Sequence, residues 1–232
     1  SRLAKFETAQ YTPIAGIAPL RSTLAGHMNQ AYGGVIEPEN VLISAGCNQA
    51  YSLAILALAR AGDEVILPVP YYFNHMMWLQ MQGISAVALP FRTDRGGVPD
   101  PEEAAGLITE RTRAIVLVTP NNPTGAVYPP ETIAAFRDLA AERGIALIID
   151  ETYKDFLDDG PPHTLFRDER WGETLVQLYS FSKAYSLTGY RVGSVIAGEK
   201  VIGAVTKIMD TVSICAARIA QDAALFGLEN LS

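Results

Sequence analysis

Two cations stand eight positions apart in YSFSKAYSLTGYRVG, residues 179–193: Lys183 and Arg191. A lysine where a strand-like run ends has four uses. It is a solvated surface charge, a phosphate ligand, a base for a serine, or an amine that bonds covalently to a carbonyl cofactor. The small and apolar residues around Lys183 weigh against the first use, because they predict a desolvated and nucleophilic amine. Thr188 and Gly189 are expected to bend the chain between the two cations.

Asp150 ends the strongly apolar run of LIIDETY, and Tyr153 follows three residues on. A carboxylate there is costly unless it meets a cation or a strong donor. The plain alternative is that it caps a following turn. In NNPTG, residues 121–125, Asn122 precedes a proline and is biased to extended geometry, while Gly125 permits a sharp turn. An amide fixed in this way can meet a ligand, though an ordinary β-turn would use the same residues. AGCNQA, residues 45–50, reads as a strand-to-helix turn in which Gly46, Cys47 and Asn48 direct backbone amides at an anion. Its plain reading makes Gly46 a turn residue and Asn48 a helix cap.

Rival chemistries lack their companions. Ser180 and Lys183 spell S-x-x-K, the nucleophile pattern of penicillin-binding serine enzymes, but no S-D-N or K-T-G follows. G-x-G-x-x-G is absent, and GSVIAGEK (193–200) has Glu199 where a P-loop lysine would stand. His27, His75 and His163 lack metal-ligand spacing and read as packed or surface histidines. A binding domain without catalysis would leave the ordered set of motifs unexplained.

The elements that must hold these residues alternate. VLISAG (41–46), EVILPV (64–69), SAVALPF (85–91), AIVLVTP (114–120) and IALIIDET (145–152) read as strands. Helical patterns lie between them, and the repeated βα unit predicts a mainly parallel sheet covered on both faces. TLVQLYS (174–180) and RVGSVIAG (191–198) are too close for a crossover helix, so this pair is expected to be antiparallel and the sheet mixed. One helix is expected at 17–33 and one long helix or two at 200–228; residues 158–172 are expected to be a long irregular loop. In such sheets ligands gather beyond the carboxyl ends of the strands, where all of these motifs fall.

Composition narrows the class. A chain of 232 residues, 49% hydrophobic and 19% charged, suits one or two globular units. A net charge of -7 speaks against a nucleic-acid partner. Cys47 and Cys215, far apart, point to reduced thiols and a cytoplasmic setting. No long apolar run or signal core is seen, which argues against a membrane partner and secretion.

Taken in order, Tyr11 in YTPIAG, then AGCNQA, PYY, NNPTG, DETY and SFSKAYSLTGYRVG closely resemble the pyridoxal-phosphate-dependent aminotransferases of class I and II, the aspartate aminotransferase superfamily of fold type I. The resemblance covers nearly the whole chain. It implies an α/β fold, a three-layer α-β-α large domain, and pyridoxal 5'-phosphate as cofactor. It implies that Lys183 bonds to the cofactor and shuttles the substrate proton, that Asp150 pairs with the pyridine nitrogen, and that Tyr153 and Asn122 bond the ring oxygen. By the same resemblance Tyr72 stacks on the ring, His75 supports Asp150, and Gly46, Cys47, Asn48, Ser180 and Arg191, with Ser182, form the phosphate cup. Tyr11 matches a tyrosine that reaches the phosphate of a neighbouring subunit, which implies a homodimer with shared sites. The implied substrates are an amino acid and a 2-oxo acid, with lyase or synthase chemistry at the same cofactor as the near alternative.

Family members usually carry an N-terminal arm before the Tyr11 position and a small C-terminal domain whose arginine grips the substrate carboxylate. Neither is seen in a chain that opens at Ser1 and ends in FGLENLS. The expectation is therefore a remnant of the N-terminal segment at 1–12 and a cofactor-binding large domain at 13–232, from a longer or truncated enzyme lacking the small domain.

Overall fold

The computed structural model describes residues 6–157, 160 and 162–231. Seven strands form one sheet: β1 (Val41–Ser44), β2 (Glu64–Pro68), β3 (Ser85–Leu89), β4 (Thr112–Val118), β5 (Ala146–Asp150), β6 (Leu175–Ser180) and β7 (Gly193–Ala197). Their spatial order is β1-β7-β6-β5-β4-β2-β3. β7 runs antiparallel to both neighbours and every other pairing is parallel, so the sheet is mixed and mainly parallel as expected. Strands β1, β2, β6 and β7 are buried at every residue, which requires cover on both faces and explains their largely apolar sequences. The outer edge of β1 is also covered. Ile43 N donates to Ala15 O at 2.9 Å and Arg21 Nε to Val41 O at 2.9 Å, leaving no free ladder for another chain.

The helices are α1 (Ala18–Tyr32), α2 (Cys47–Leu58), α3 (Phe73–Met81), α4 (Pro101–Leu107), α5 (Pro130–Arg143), α6 (Glu199–Val212) and α7 (Arg218–Asn230). Proline opens α1, α4 and α5, where the missing N–H costs nothing. α2 lies on β1, β6 and β7 and against α3 and α6, while α1 packs on β1 and α7, and α5 on β5 and α4. The result is the three-layer α/β architecture.

Two expectations are sharpened. Residues 200–228 form two helices, because the chain leaves α6 through Ser213 and Ile214, the latter in the left-handed region at φ 65. The stretch 158–172 is less irregular than expected. Its described part holds a 3-10 turn at Leu165–Arg167 and enters another at Trp171–Glu173, with Leu165, Phe166 and Trp171 buried as local anchors. Positions 158, 159 and 161 lie outside the described residues. Among the described residues no helix is long and apolar enough to cross a membrane, and no cluster of His, Cys, Asp and Glu is suited to a metal ion.

Candidate functional site

Placing β7 between β1 and β6 sets Gly193 in register with Ser44 on one side and Ser180 on the other. The turn after β1, the turn after β6 and the start of β7 therefore meet at one end of the sheet. The meeting is too close for side chains. A Cβ on Gly193 would stand 2.7 Å from Tyr179 O and 2.8 Å from Cys47 N, and one on Gly46 would stand 2.4 Å from Arg191 Nη2. Gly46 is moreover left-handed, at φ 84.

Gly46 is the N-cap of α2 and no side chain caps that helix. Asn48 consequently lies inside the first turn, which overturns its plain reading as a cap. The first amides of α2 and its positive dipole end are left for an anion. Across from them Arg191 Nη1 donates to Thr188 O at 2.9 Å and to Ser182 Oγ at 3.4 Å, while Ser180 Oγ accepts from Ser182 N at 3.2 Å. The bend in this loop does not rest on Gly189. Thr188–Tyr190 is a 3-10 turn, and the left-handed residues are Ser186 and Arg191, at φ 53 and φ 55.

Beside this cup lies a cavity of about 280 Å³ bordered by Cys47, Asn48, Tyr72, Asn122, Asp150, Tyr153, Ser180, Lys183 and Arg191. Ser182, Val118, Thr152 and Thr188 complete its wall. Of the residues expected at the site, Gly46 lies behind the cup against Arg191, and Tyr11 stands outside, 78% exposed.

Asp150 is buried at the base of the cavity. Its Oδ2 is 3.3 Å from His75 Nε2, and its Oδ1 accepts from Thr152 N at 3.1 Å and from Thr152 Oγ1 at 2.7 Å. The carboxylate thus caps its own turn and also meets the cavity, so both readings of this residue hold. Burial pushes the carboxyl up, but the hydrogen bond and electrostatic attraction of His75, with the two bonds from Thr152, outweigh it and hold the group below the ordinary carboxylate range. Burial pushes the Cys47 thiol well up, helped by the Asp150 charge, so it lines the cup as neutral S–H.

In the NNPTG turn the two asparagines divide the work. Asn121 Oδ1 accepts from Thr124 N and Thr124 Oγ1 at 3.1 and 2.8 Å, and its Nδ2 donates to Tyr128 at 3.2 Å, which pins the loop; Asn122 borders the cavity. Lys183 stands 5.9 Å from the Tyr153 ring centroid. It is exposed, contrary to the desolvated setting expected from its neighbours in sequence. The turn after β6 carries its side chain off the sheet end to the mouth of the cavity, while Phe181 and Ser182 beside it point into the fold and are buried. Sequence reasoning missed three wall residues. Thr152 had a readable cue, since Asp-x-Thr favours a side-chain-closed turn; Val118 is placed by its register with Asp150, and Thr188 by the loop's return.

The chain matches the family model for aminotransferase class I and II over residues 2–230. It belongs to that family. An aspartate aminotransferase of Pyrococcus horikoshii is 36% identical over 85% of this chain and 50% of its own length. An aspartate/prephenate aminotransferase of Thermus thermophilus is 34% identical over 95% of this chain and 57% of its own. The solved structure of a single mutant of Thermus thermophilus aspartate aminotransferase superposes with a TM-score of 0.91 at 34% identity, over 97% of this chain and 58% of that one. The chain therefore spans about half the length of the curated relatives it matches.

Proposed function

We propose that this chain holds pyridoxal 5'-phosphate and serves a cytoplasmic enzyme that transfers an amino group between an amino acid and a 2-oxo acid. One observation carries the reading: an ionised Asp150, the Lys183 amine and an anion cup of Arg191, Ser180 and the uncapped α2 border one cavity. The tight glycines Gly46 and Gly193 fit a phosphate held by backbone at close range. Pyridoxal phosphate, when bound, supplies an electron-accepting protonated ring for the electron pair left at the substrate Cα.

Asp150 would keep the ring nitrogen protonated, and its carboxylate is held at three points, by Thr152 N, Thr152 Oγ1 and His75 Nε2. Lys183 would supply the amine that holds the cofactor and, once freed by an incoming amine, would take and return the proton at the substrate Cα. Tyr72 would cover a ring face, and Asn122 and Tyr153 would donate to the ring oxygen. The cup would fix the phosphate, and through it the distance from Lys183 to the reacting carbon. Tyr11, exposed on this chain, would reach the phosphate of a second copy in a homodimer with shared sites, and its exposure supports that reading. Residues 13–232 act as the cofactor-binding domain. The names of the relatives put a dicarboxylic or prephenate-derived amino acid first among substrates.

Borohydride reduction of the chain mixed with pyridoxal phosphate, followed by peptide mapping, tests the reading. We expect the label on Lys183; a label on another lysine, or none, would sink it.

A further inference from the structure

Gln221 of α7 is fully buried, and its side-chain amide reaches across the fold. Its Oε1 accepts from Ile17 N at 2.8 Å, and its Nε2 donates to Thr12 Oγ1 at 2.9 Å and to Ala216 O at 2.8 Å. Thr12 and Ile17 bound the short segment between the 3-10 turn Phe6–Ala9 and α1. Between them the chain is pressed against the edge of the sheet. Ile43 N donates to Ala15 O at 2.9 Å, and a Cβ on Gly16, at φ 106, would stand 2.5 Å from Ile43 Cγ1 and 3.1 Å from Gln221 Oε1. Thr12 is buried, whereas Tyr11 beside it is exposed. Burying an amide is costly unless its groups are paired, and an apolar side chain would pack α7 against α1 without that demand. What the paired amide adds is orientation: it fixes where residues 12–17 sit on α7.

The same amide joins this segment to the frame of the anion cup. Ala216 lies in the junction between α6 and α7. On the other side of that junction Ser213 Oγ accepts from Gln49 Nε2 at 2.9 Å, while Gln49 Oε1 accepts at 2.6 Å from Ala45 N, in the turn after β1. Two glutamines thus connect Thr12 to the turn that forms the cup, through one short junction. In a two-fold dimer each chain gives its Tyr11 to the partner's cup and receives one in return, so the offset between Tyr11 and the chain's own cup decides whether the two fit. We propose that Gln221 is a positioning residue: held on Thr12, Ile17 and Ala216, it sets the place from which Tyr11 reaches the phosphate in a second copy. The proposal rests on Tyr11 serving that second copy, and it adds the residue through which the reach is fixed.

Thr12→Val keeps the shape of the side chain and removes the hydroxyl that Gln221 grips, whereas Thr12→Ser keeps the hydroxyl. The dissociation constant of pyridoxal phosphate is read from absorbance as it is titrated into the cofactor-free full-length enzyme. We expect Tyr11→Phe and Thr12→Val each to weaken binding about tenfold, the scale of one hydrogen bond to a charged group. Gln221→Met, which keeps the length and loses the amide, should match Thr12→Val, and Thr12→Ser should bind as the wild type does. The double variant Tyr11→Phe with Thr12→Val should bind no more weakly than either single one, because both act on one contact. Wild-type affinity in Thr12→Val or in folded Gln221→Met, beside a loss in Tyr11→Phe, overturns the proposal and leaves the cofactor reading standing. Additive losses do the same, since they assign Thr12 a general effect on the fold. Wild-type affinity in Tyr11→Phe overturns the proposal together with the second-copy role of Tyr11, and an enzyme that binds no pyridoxal phosphate overturns the cofactor reading as well. Hydrogen exchange in the cofactor-free protein needs no variant: the Ile17 amide should be protected, and free exchange there overturns the proposal.

Discussion

Asp150 shows how one side chain meets two demands. Its Oδ1 closes the turn to Thr152 and its Oδ2 faces His75, so the carboxylate is immobilised before any ligand arrives. Asparagine in its place would retain an acceptor for Thr152 but carry no charge. For Asp150→Asn we expect pyridoxal phosphate to remain bound, while amino-group transfer by the full-length enzyme falls by about 10²-fold or more, the scale of losing one preorganised electrostatic group. Stopped-flow absorbance of a single half-reaction would read this, and undiminished transfer would refute the role of the charge. Lys183 teaches the opposite lesson. Its neighbours in sequence are small and apolar, yet its side chain is exposed, because burial is set by what packs over a residue and not by what flanks it.

At the scale of elements, the cup depends on three backbone segments approaching within van der Waals distance. Gly193 sits at the closest approach, with backbone atoms on both sides that cannot rotate away. Gly193→Ala should therefore cost about 1–3 kcal/mol by urea unfolding and weaken pyridoxal phosphate binding, as expected for an overpacked site. Gly189→Ala is the contrasting case. A Cβ there meets nothing within 4 Å, and its backbone is not left-handed, so stability should change by no more than about 0.5 kcal/mol. Equal effects of the two substitutions would show that the close approach is not what the glycine at 193 serves.

For the molecule as a whole, a buried polar knot next to Asp150 ties layers together. Glu151 Oε2 accepts from Tyr32 OH of α1 at 2.7 Å and from Gln177 of β6, and lies 3.4 Å from His163 Nε2. Burial pushes the Glu151 carboxyl up, but His163, Gln177 and Tyr32 outweigh it and lower it below its ordinary 4.5. A carboxyl lowered by folding stabilises the fold fully above its unfolded value and loses that contribution as pH falls through the folded value. The urea midpoint should thus hold on the neutral side and drop once the pH passes below about 4.5, with Asp150 adding in the same direction. Glu151→Gln should cost about 1–3 kcal/mol at pH 7 and flatten the acid slope. A slope unchanged in the variant would assign acid sensitivity elsewhere.

The strands and most helix limits were legible in the sequence because they follow local rules, apolar runs and proline at helix starts, whereas the residues of the cup were expected together only from the family resemblance. NNPTG, DETY and SFSK could likewise be placed at strand ends by period and spacing alone. What the sequence could not decide was non-local. The insertion of β7 between β1 and β6, which brings Gly46 to Arg191, depends on strand pairing across more than a hundred residues. The exposure of Lys183 and the left-handed Arg191 follow from that packing as well. Local chemistry determined which groups are present. Tertiary packing decided which are desolvated, which are paired, and which are left facing a ligand, because those outcomes depend on atoms distant along the chain.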